Sequence, residues 1–126
     1  MGSPRNFIHI RHDRDVPLEY LKHLWDEDPS TAGRDLETID LIWQRSAYVI
    51  HAWSNKHLVG TARVISDGAY FAFICDVVTA ARFEFLRTKL MQRASRPFLY
   101  RQLTLYYQSN HLAGDPQIFF PGLSSP

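Results

Sequence analysis

The feature that most constrains this chain is a pair of β-rich apolar segments on either side of Asp67-Gly68. An Asp-Gly pair in this setting predicts a tight hairpin, because a type I′ turn needs positive φ at both central residues. The first arm, Leu58–Ser66, alternates in polarity, whereas the second, Ala69–Val78, is apolar at nearly every position. A strand with no polar face is buried on both sides, so we expect helices to cover this sheet.

Strict alternation assigns every side chain of the hairpin to one face of the sheet. The predicted faces are Val59, Thr61, Arg63 and Ile65 against Leu58, Gly60, Ala62 and Val64 in the first arm, and Tyr70, Ala72, Ile74, Asp76 and Val78 against Phe71, Phe73, Cys75 and Val77 in the second. A buried hairpin of purely structural purpose would show the same pattern, so the alternation alone does not indicate a function.

The same stretch also carries a longer motif. Residues 58–78 read Leu-Val-Gly-x-Ala-Arg-Val-Ile-Ser-Asp-Gly-x-Tyr-Phe-Ala-x-Ile-x-Asp-Val-Val and closely resemble the central hairpin of the GNAT superfamily of N-acetyltransferases. In that family these segments are the third and fourth strands. The resemblance covers the chain from about Phe7 onward and implies an α/β (α+β) fold, a GNAT-like mixed β-sheet with helices on both faces. The chain ends before the last two strands that the family usually has.

Apolar spacing predicts the remaining elements independently of that resemblance. They are a strand at Phe7–Arg11, a helix at Pro17–Asp26 capped by Asp15, a helix from the N-cap Asp35 to Arg45, a strand at Ala47–Trp53, a helix at Ala81–Ala94, a strand at Phe98–Tyr107 and one helical turn at Ile118–Phe120. The strand–helix–strand unit after the hairpin predicts a parallel crossover between the fourth and fifth strands.

Composition excludes several classes of protein. The chain has 126 residues, of which 45% are hydrophobic and 21% charged, which suits a single domain spanning residues 1–126. A formal net charge of +1 gives no argument for nucleic-acid binding. No apolar run approaches the roughly 20 residues that span a bilayer, and the N-terminus lacks a signal-peptide core, so we expect a cytoplasmic protein without a membrane partner. Cys75 is predicted to be an inert core thiol.

The GNAT resemblance implies a cofactor site between the fourth and fifth strands, where acyl-CoA lies in these enzymes. The residues that match the strand along the pantetheine are Cys75, Asp76, Val77 and Val78. The family's glycine-rich phosphate loop is missing, because Arg82-Phe83-Glu84-Phe85-Leu86-Arg87 stands in its place. Glycine lets the backbone approach the phosphates, and a ring on Cβ obstructs that approach. Arg82 and Arg87 could attract phosphate, although the solvated face of an amphipathic helix is the preferred explanation of these charges.

Catalytic candidates follow from the same resemblance. Asp76 lies inside an apolar strand and is either a base for an amine or a structural acid. Tyr106 or Tyr107 could supply the phenol that protonates a thiolate, because Phe120 occupies the position of the family's tyrosine. The expected amine-binding residues are Trp25, Asp26, Glu27 and Tyr70, although a solvated helix end would also explain the acids. The six histidines show no metal-ligand spacing, so no metal is expected.

Three functions remain open at this point. The chain is predicted to be a GNAT-like acyl-CoA-dependent N-acyltransferase homologue whose degenerate phosphate loop binds acetyl-CoA weakly or not at all. The alternatives are a repurposed GNAT-fold enzyme of small-molecule biosynthesis and a non-catalytic GNAT-fold binding protein. A sheet that ends at the fifth strand leaves an open edge at Phe98–Tyr107, which predicts a homodimer or a partner strand, unless the tail from Ile118 covers it.

Overall fold

The computed structural model describes residues 7–101, 103–107 and 117–119. The elements are β1 (Ile8–Arg11), α1 (Leu18–Trp25), α2 (Leu36–Arg45), β2 (Tyr48–Ser54), β3 (His57–Ser66), β4 (Phe71–Thr79), a 3₁₀ segment (Ala81–Leu86), α3 (Arg87–Ser95), a second 3₁₀ segment (Arg96–Arg101), β5 (Thr104–Tyr107) and β6 (Gln117–Ile118). They form one six-stranded sheet in the order β1-β2-β3-β4-β5-β6. Among the strands of the described residues, β4 and β5 are the one pair that runs in parallel, as the crossover argument predicts.

The two helices before the hairpin begin in different ways. At α2 the carboxylate of Asp35 accepts a hydrogen bond from the Thr38 N–H at 2.8 Å, which confirms Asp35 as the N-cap. The prediction that Asp15 caps α1 is wrong, because Pro17 is the residue at the N-cap and no side chain makes a capping bond there. None of the helices in the described part of the chain has the length and apolar character needed to cross a membrane.

Helices pack on both faces of the sheet, which confirms the predicted layering. We call the side covered by α1 and α2 the α1/α2 face and the opposite side the α3 face. The core of the α1/α2 face consists of Val16, Leu21, Leu24, Trp25, Ile39, Trp43, Val49 and Val78. The core of the α3 face consists of Ile50, Ala52, Val59, Ala62, Val64, Ala72, Ile74, Val77, Leu86, Leu90, Ala94, Phe98 and Leu105.

A bulge in β4 overturns the strict alternation predicted for the second arm. Thr61 pairs with Val78 and Arg63 pairs with Cys75, so the two residues Asp76 and Val77 stand opposite one residue of β3. Asp76 has φ +49°, a left-handed conformation that aspartate tolerates better than most residues. The extra residue turns the Asp76 side chain to the α1/α2 face, away from the face of Ile74 with which the alternation had grouped it.

A second bulge corrects the faces predicted for β3. Ala52 pairs with Gly60 and Trp53 pairs with Leu58, which leaves Val59 as the extra residue. Val59 therefore packs in the core of the α3 face, and Leu58 packs against the core of the α1/α2 face. Strict alternation had grouped Val59 with Thr61 and Leu58 with Ala62, which is the reverse of the faces observed.

The hairpin is present, but its turn is not the predicted type I′. Gly68 has φ +76°, whereas Asp67 is not among the described residues with positive φ. The Asp67 carboxylate instead accepts hydrogen bonds from the N–H groups of Ala69, Tyr70 and Phe71 at 2.8, 2.9 and 3.1 Å. This side-chain-to-backbone network stabilises a wider loop and delays the start of β4 to Phe71.

Two-sided burial of the second arm holds only for part of its length. At the start of β4, Phe71 is 53% exposed, and Ile65 on the neighbouring strand is 51% exposed. At the other end of the strand Val77 and Val78 are buried in opposite cores. The helices α1 and α2 therefore cover the end of β4 that leads into the 3₁₀ segment, and leave its beginning open.

The chain after β4 departs from the predicted elements. The single helix expected at Ala81–Ala94 is a 3₁₀ segment followed by α3. The 3₁₀ segment is itself kinked at Phe83, which has non-helical dihedral angles of −124° and 23°. The strand expected at Phe98–Tyr107 begins only at Thr104, and residues 98–101 belong instead to the second 3₁₀ segment, Arg96–Arg101.

The outer edge of β5 is paired by the chain's own tail. Tyr106 and Tyr107 pair with Ile118 and Gln117 of β6, and the Phe119 N–H donates to the Leu105 carbonyl at 2.7 Å. The predicted helical turn at Ile118 is therefore a strand, and Phe120 lies outside the described residues. The tail therefore covers the edge of β5, which was the alternative to a partner chain. An open β5 edge was the argument for a homodimer, and that argument no longer applies.

Candidate functional site

The site of interest lies where β4 and β5 separate. Their parallel pairing runs from Phe71 and Thr104 to Ile74 and Tyr107. Among the described residues, no strand pairs with the β5 side of residues 75–79. Backbone N–H and C=O groups along such an edge need partners from water or from a ligand. The opening is therefore a place where an extended amide-bearing ligand can pair with the strand.

A charged cluster on the α1/α2 face lies beside this opening. Arg34 donates from Nη1 and Nη2 to the two carboxylate oxygens of Asp76, at 2.7 and 3.2 Å. Arg63 donates from Nε to Asp76 Oδ2 at 2.6 Å. The Arg34 guanidinium also lies 5.2 Å from the ring centre of Trp25. Two cations thus hold one carboxylate at the bulge.

These contacts decide between the two predicted roles of Asp76. Burial raises the pKa of Asp76, but the hydrogen bond from Arg34 and the charge of Arg63 outweigh it, and the pKa lies below its ordinary value. A carboxylate held by two guanidinium groups has little tendency to take a proton from an amine at neutral pH. The geometry therefore favours the structural role of Asp76 over the role of general base.

The neighbours of Asp76 offer backbone rather than reactive side chains. Burial raises the pKa of the Cys75 thiol to about 12, so this side chain stays protonated at neutral pH, as expected for an inert core thiol. Val77 and Val78 bury their side chains in the two cores. The four predicted cofactor-binding residues of β4 can therefore offer a ligand in the opening only their main-chain groups.

The two tyrosines proposed as acids lie further along β5. Tyr107 is opposite Ile74, about 7 Å along the strand from Asp76, and its hydroxyl donates to Gln117 Oε1 at 2.9 Å. Tyr106 is opposite Phe73, about 10 Å along the strand from Asp76, and its ring lies 5.9 Å from that of Phe71. The structure therefore does not bring either phenol together with Asp76.

The segment that would hold phosphate has no glycine. Its backbone begins a 3₁₀ turn in which the Phe83 N–H donates to the Ala80 carbonyl at 2.8 Å, so that donor is already used. The rings of Phe83 and Phe85 lie 6.0 Å apart, and Phe85 is 40% exposed. Arg82 is exposed and Arg87 is half-buried.

These observations test whether acyl-CoA fits the residues present. The free edge of β4 fits the pantetheine, because it offers main-chain groups in an extended strand. The 3₁₀ segment does not fit a pyrophosphate cradle, because side chains stand where a backbone approach is needed. One buried hydroxyl near this junction, Thr79 Oγ1, has no hydrogen-bond partner among the described residues. The described residues thus fit the pantetheine of acyl-CoA but not its pyrophosphate.

The four predicted substrate residues are not brought together. Trp25 is fully buried and donates from Nε1 to Thr61 Oγ1 at 2.9 Å. Asp26 accepts a hydrogen bond from the Gly33 N–H at 3.0 Å, which lowers its pKa. Glu27 is exposed beside a groove on α1, and Tyr70 is 74% exposed at the hairpin loop. Trp25 is thus a core residue, and Asp26 stabilises the loop after α1.

Sequence reasoning missed the two arginines of the cluster. A signal for Arg63 was available, since it is the only charged side chain in the apolar run of β3 and Asp76 is the only one in β4. The prediction listed the faces of each arm separately and did not say which faces adjoin, so the two residues were not considered as a pair. Arg34 lies in the loop before α2, where no local pattern indicates a long-range partner.

Comparison with known proteins identifies the fold. No protein-family model matches the chain, and no curated protein matches it significantly. Among solved structures, it is similar to a probable acetyltransferase from meticillin-resistant Staphylococcus aureus, with a TM-score of 0.73 and 13% identity over 83% of this chain and 81% of that one. A GNAT-family acetyltransferase from Streptococcus pneumoniae TIGR4 gives a TM-score of 0.68 and 20% identity, over 82% of this chain and 76% of that one.

A third similar structure is an aminoglycoside acetyltransferase from an uncultured soil metagenomic sample, solved in complex with sisomicin. It gives a TM-score of 0.63 and 18% identity over 85% of this chain and 80% of that one. Identities at this level establish a shared architecture and nothing finer. The chain has the GNAT fold, as the resemblance of its central hairpin implies.

Proposed function

We propose that the protein is a GNAT-type acyl-CoA-dependent N-acyltransferase homologue whose altered phosphate segment makes its binding of acyl-CoA weak. The observation that carries this proposal is the separation of β4 from β5 after Ile74, which leaves residues 75–79 free to pair with a ligand. Acyl-CoA, when bound, supplies an activated thioester carbonyl for attack by an amine. The remaining contributions come from the chain's own residues.

In this proposal the main chain of β4 binds the pantetheine of acyl-CoA and orients it. Extended strands recognise amide-bearing ligands by adding hydrogen bonds along a free edge. Asp76, held by Arg34 and Arg63, fixes the bulge and so the path of the strand beside the opening. Each hydrogen bond to the ligand contributes only about 1 kcal/mol net, so this edge alone does not give tight binding.

Phosphate binding depends on side chains instead of a glycine loop. Arg82 and Arg87 lie in and directly after the 3₁₀ segment, and guanidinium groups bind phosphate through charge-assisted hydrogen bonds. Such exposed contacts weaken with ionic strength. We therefore expect the affinity for CoA to fall steeply as salt is added.

The acceptor in this proposal is a small-molecule amine. The soil metagenome relative acts on aminoglycosides, and its complex with sisomicin supports amines as the acceptor class for this architecture. Asp76 is not free to bind this amine, because its carboxylate is paired with Arg34 and Arg63.

A non-catalytic binding protein is the second candidate, and one observation favours it. Neither Tyr106 nor Tyr107 lies beside Asp76, so neither of the phenols predicted as the acid is next to the strand bulge. A protein of this kind would bind a ligand along β4 without acyl transfer. The two candidates differ in whether free CoA appears when an amine is supplied.

Calorimetric titration with acetyl-CoA and CoA tests the cofactor half of the proposal. We expect a dissociation constant well above the micromolar range, loss of that binding in Arg82→Ala and Arg87→Ala, and tighter binding in the double variant Phe83→Gly with Phe85→Gly. Lys89→Ala is the matched control, because Lys89 is an exposed cation of α3 outside the 3₁₀ segment.

Two outcomes would contradict this account. Tight binding that is indifferent to both arginines would show that the phosphates bind elsewhere. Failure of the Phe83→Gly, Phe85→Gly double variant to bind acetyl-CoA would show that acyl-CoA is not the cofactor of this protein. If CoA binds but no thiol is released from acetyl-CoA with any of a panel of small amines, the non-catalytic candidate replaces acyl transfer.

A further inference from the structure

A groove outside the β4–β5 opening lies between helix α1 and the turn that joins β2 to β3. Its volume is about 570 Å³, within the range of small-molecule sites. Its apolar lining is contributed by Leu58, Val59 and Ala80. Val59 is only 4% exposed, and it reaches its position because the bulge in β3 makes it the extra residue.

This groove adjoins the proposed cofactor edge at one residue, because Ala80 directly follows residues 75–79 of β4. The two differ in the side of β4 on which they lie. The groove is bounded by α1 and β3, whereas the free edge of β4 faces β5. The inference concerns the β3 side and does not depend on acyl transfer.

Opposite charges stand on the two walls of the groove. The helix wall carries the carboxylates of Glu19 and Glu27, and the turn wall carries the ammonium group of Lys56. Within the described part of the chain, none of these three side chains has an ion pair or hydrogen bond to another residue. Acids and base therefore remain free to pair with a ligand that carries both charges.

The same lining favours an organic cation over a metal ion. The described residues contain no group of three or more His, Cys, Asp or Glu side chains placed to hold a metal ion. An organic ammonium group needs only one or two carboxylates and tolerates looser geometry than a metal does. The apolar lining also requires a hydrocarbon body, which an inorganic ion lacks.

We propose that this groove binds a small zwitterion of the amino-acid class with an apolar side chain. Its ammonium group pairs with Glu19 and Glu27, its carboxylate pairs with Lys56, and its side chain packs on Leu58, Val59 and Ala80. Charge complementarity selects the zwitterion, and the volume limits it to a single small molecule.

Chemical-shift mapping with L-leucine as the probe tests the proposal. We expect saturable shifts at the amides around Glu27, Lys56 and Ala80. Isoamylamine and 4-methylpentanoate, which each lack one charged group, are expected to bind at least tenfold more weakly. The variants Glu19→Gln with Glu27→Gln, and Lys56→Gln, should each weaken L-leucine binding at least tenfold. All three positions are exposed, so these variants keep the fold.

Glu84→Gln is the matched control, because Glu84 is an exposed acid of the 3₁₀ segment outside the groove. It should leave L-leucine binding unchanged. Absence of saturable shifts at millimolar L-leucine would overturn the proposal, and so would equal binding of the three probes. Loss of binding in Glu84→Gln to the same extent as in the groove variants would overturn it as well, since the effect would then be general electrostatics.

Discussion

The α3 face and the α1/α2 face bury side chains of different chemistry against the same sheet. The core of the α3 face is mainly aliphatic and centres on residues such as Ile74 and Leu90. The α1/α2 face contains two buried tryptophans and the buried His51, each making at least one hydrogen bond. Aliphatic packing is tolerant of small rotations, whereas hydrogen-bonded aromatic rings fix orientation. The α1/α2 face is thus the one suited to holding charged groups in place beside the β4 opening.

Truncation of Leu90 should have the largest effect on the α3 face. Leu90 is fully buried, so Leu90→Ala should lower the free energy of unfolding by about 3 kcal/mol through lost transfer energy and a residual cavity. The loss should vary little with pH, because Leu90 is uncharged and the contacts that the truncation removes are apolar. Urea unfolding at several pH values measures both features.

Gly60 provides a control that is specific to this packing. A Cβ added at Gly60 would lie 2.9 Å from Leu90 Cδ1, so Gly60→Ala should destabilise the wild-type chain. In the Leu90→Ala background the new methyl group occupies space that the truncation has emptied, and Gly60→Ala should restore part of the lost stability. Additive losses in the double variant would show that the two residues do not share a packing site.

Replacement of Asp76 should have the next largest effect and should differ in its pH dependence. Asp76→Asn keeps a residue that tolerates φ +49° but leaves Arg34 and Arg63 without an anion, so we expect a loss of about 2 kcal/mol. The folded pKa of Asp76 is lowered, so its contribution is present above the unfolded value of 3.8 and is lost as pH falls through the folded value.

The measurement is the difference in unfolding free energy between wild type and Asp76→Asn from neutral pH to below pH 3.8. The difference should shrink with acid. Thr88→Ala, at an exposed position of α3, is the control, and its effect should not depend on pH in this range. A constant difference between wild type and Asp76→Asn would mean that the ion pairs do not stabilise the folded state.

The sequence predicts the features of this fold that depend on neighbouring residues. Elements up to β4 follow from local patterns, because hydrophobic periodicity and the Asp35 N-cap act within a few residues. The hairpin arms were predicted, but the bulges at Val59 and Asp76 were not, since one inserted residue leaves the composition of a strand unchanged. Every face assignment beyond each bulge was shifted as a result.

Elements after β4 were harder to predict, because a local pattern there is compatible with more than one structure. The run Phe98–Tyr107 alternates like a strand, but its first half forms a 3₁₀ segment that returns the chain from α3 to the sheet. At the candidate site, Cys75, Val77 and Val78 were predicted correctly as strand residues of β4, whereas the pairing of Asp76 with Arg34 was not foreseen. That contact joins residues 42 positions apart, and no local pattern encodes it.

The buried tryptophan pair gives a smaller prediction for the α1/α2 face. Trp25→Phe removes the Nε1–H donor and leaves the buried Thr61 hydroxyl without its partner, so we expect a loss of about 1–2 kcal/mol. Thr61→Val should cost a similar amount because it orphans the indole N–H. The double variant should lose less than the sum of the two, since no unpaired polar group remains. An additive result would show that the hydrogen bond contributes little.

His51 gives the smallest effect and the one most specific to the α1/α2 face. Its ring is fully buried, with Nδ1 2.7 Å from Trp53 Nε1 and Nε2 2.8 Å from the Asp13 carbonyl. Trp53 Nε1–H can only donate, so Nδ1 accepts, and Nε2 carries the proton and donates to Asp13. Protonation of Nδ1 would break the bond to Trp53, and burial lowers the pKa of His51 below 6.5.

The sign of the pH effect follows from this lowered pKa. Below pH 6.5 the unfolded chain binds a proton at His51 that the folded chain does not, so stability should fall as pH decreases through this window. A single group limits the slope to about 1.4 kcal/mol per pH unit. In His51→Gln this part of the slope should disappear, whereas His57→Gln, at an exposed position, should keep it. An unchanged slope in His51→Gln would mean that the acid sensitivity just below pH 6.5 arises elsewhere, and only the Asp76 cluster would then give the α1/α2 face its predicted pH dependence.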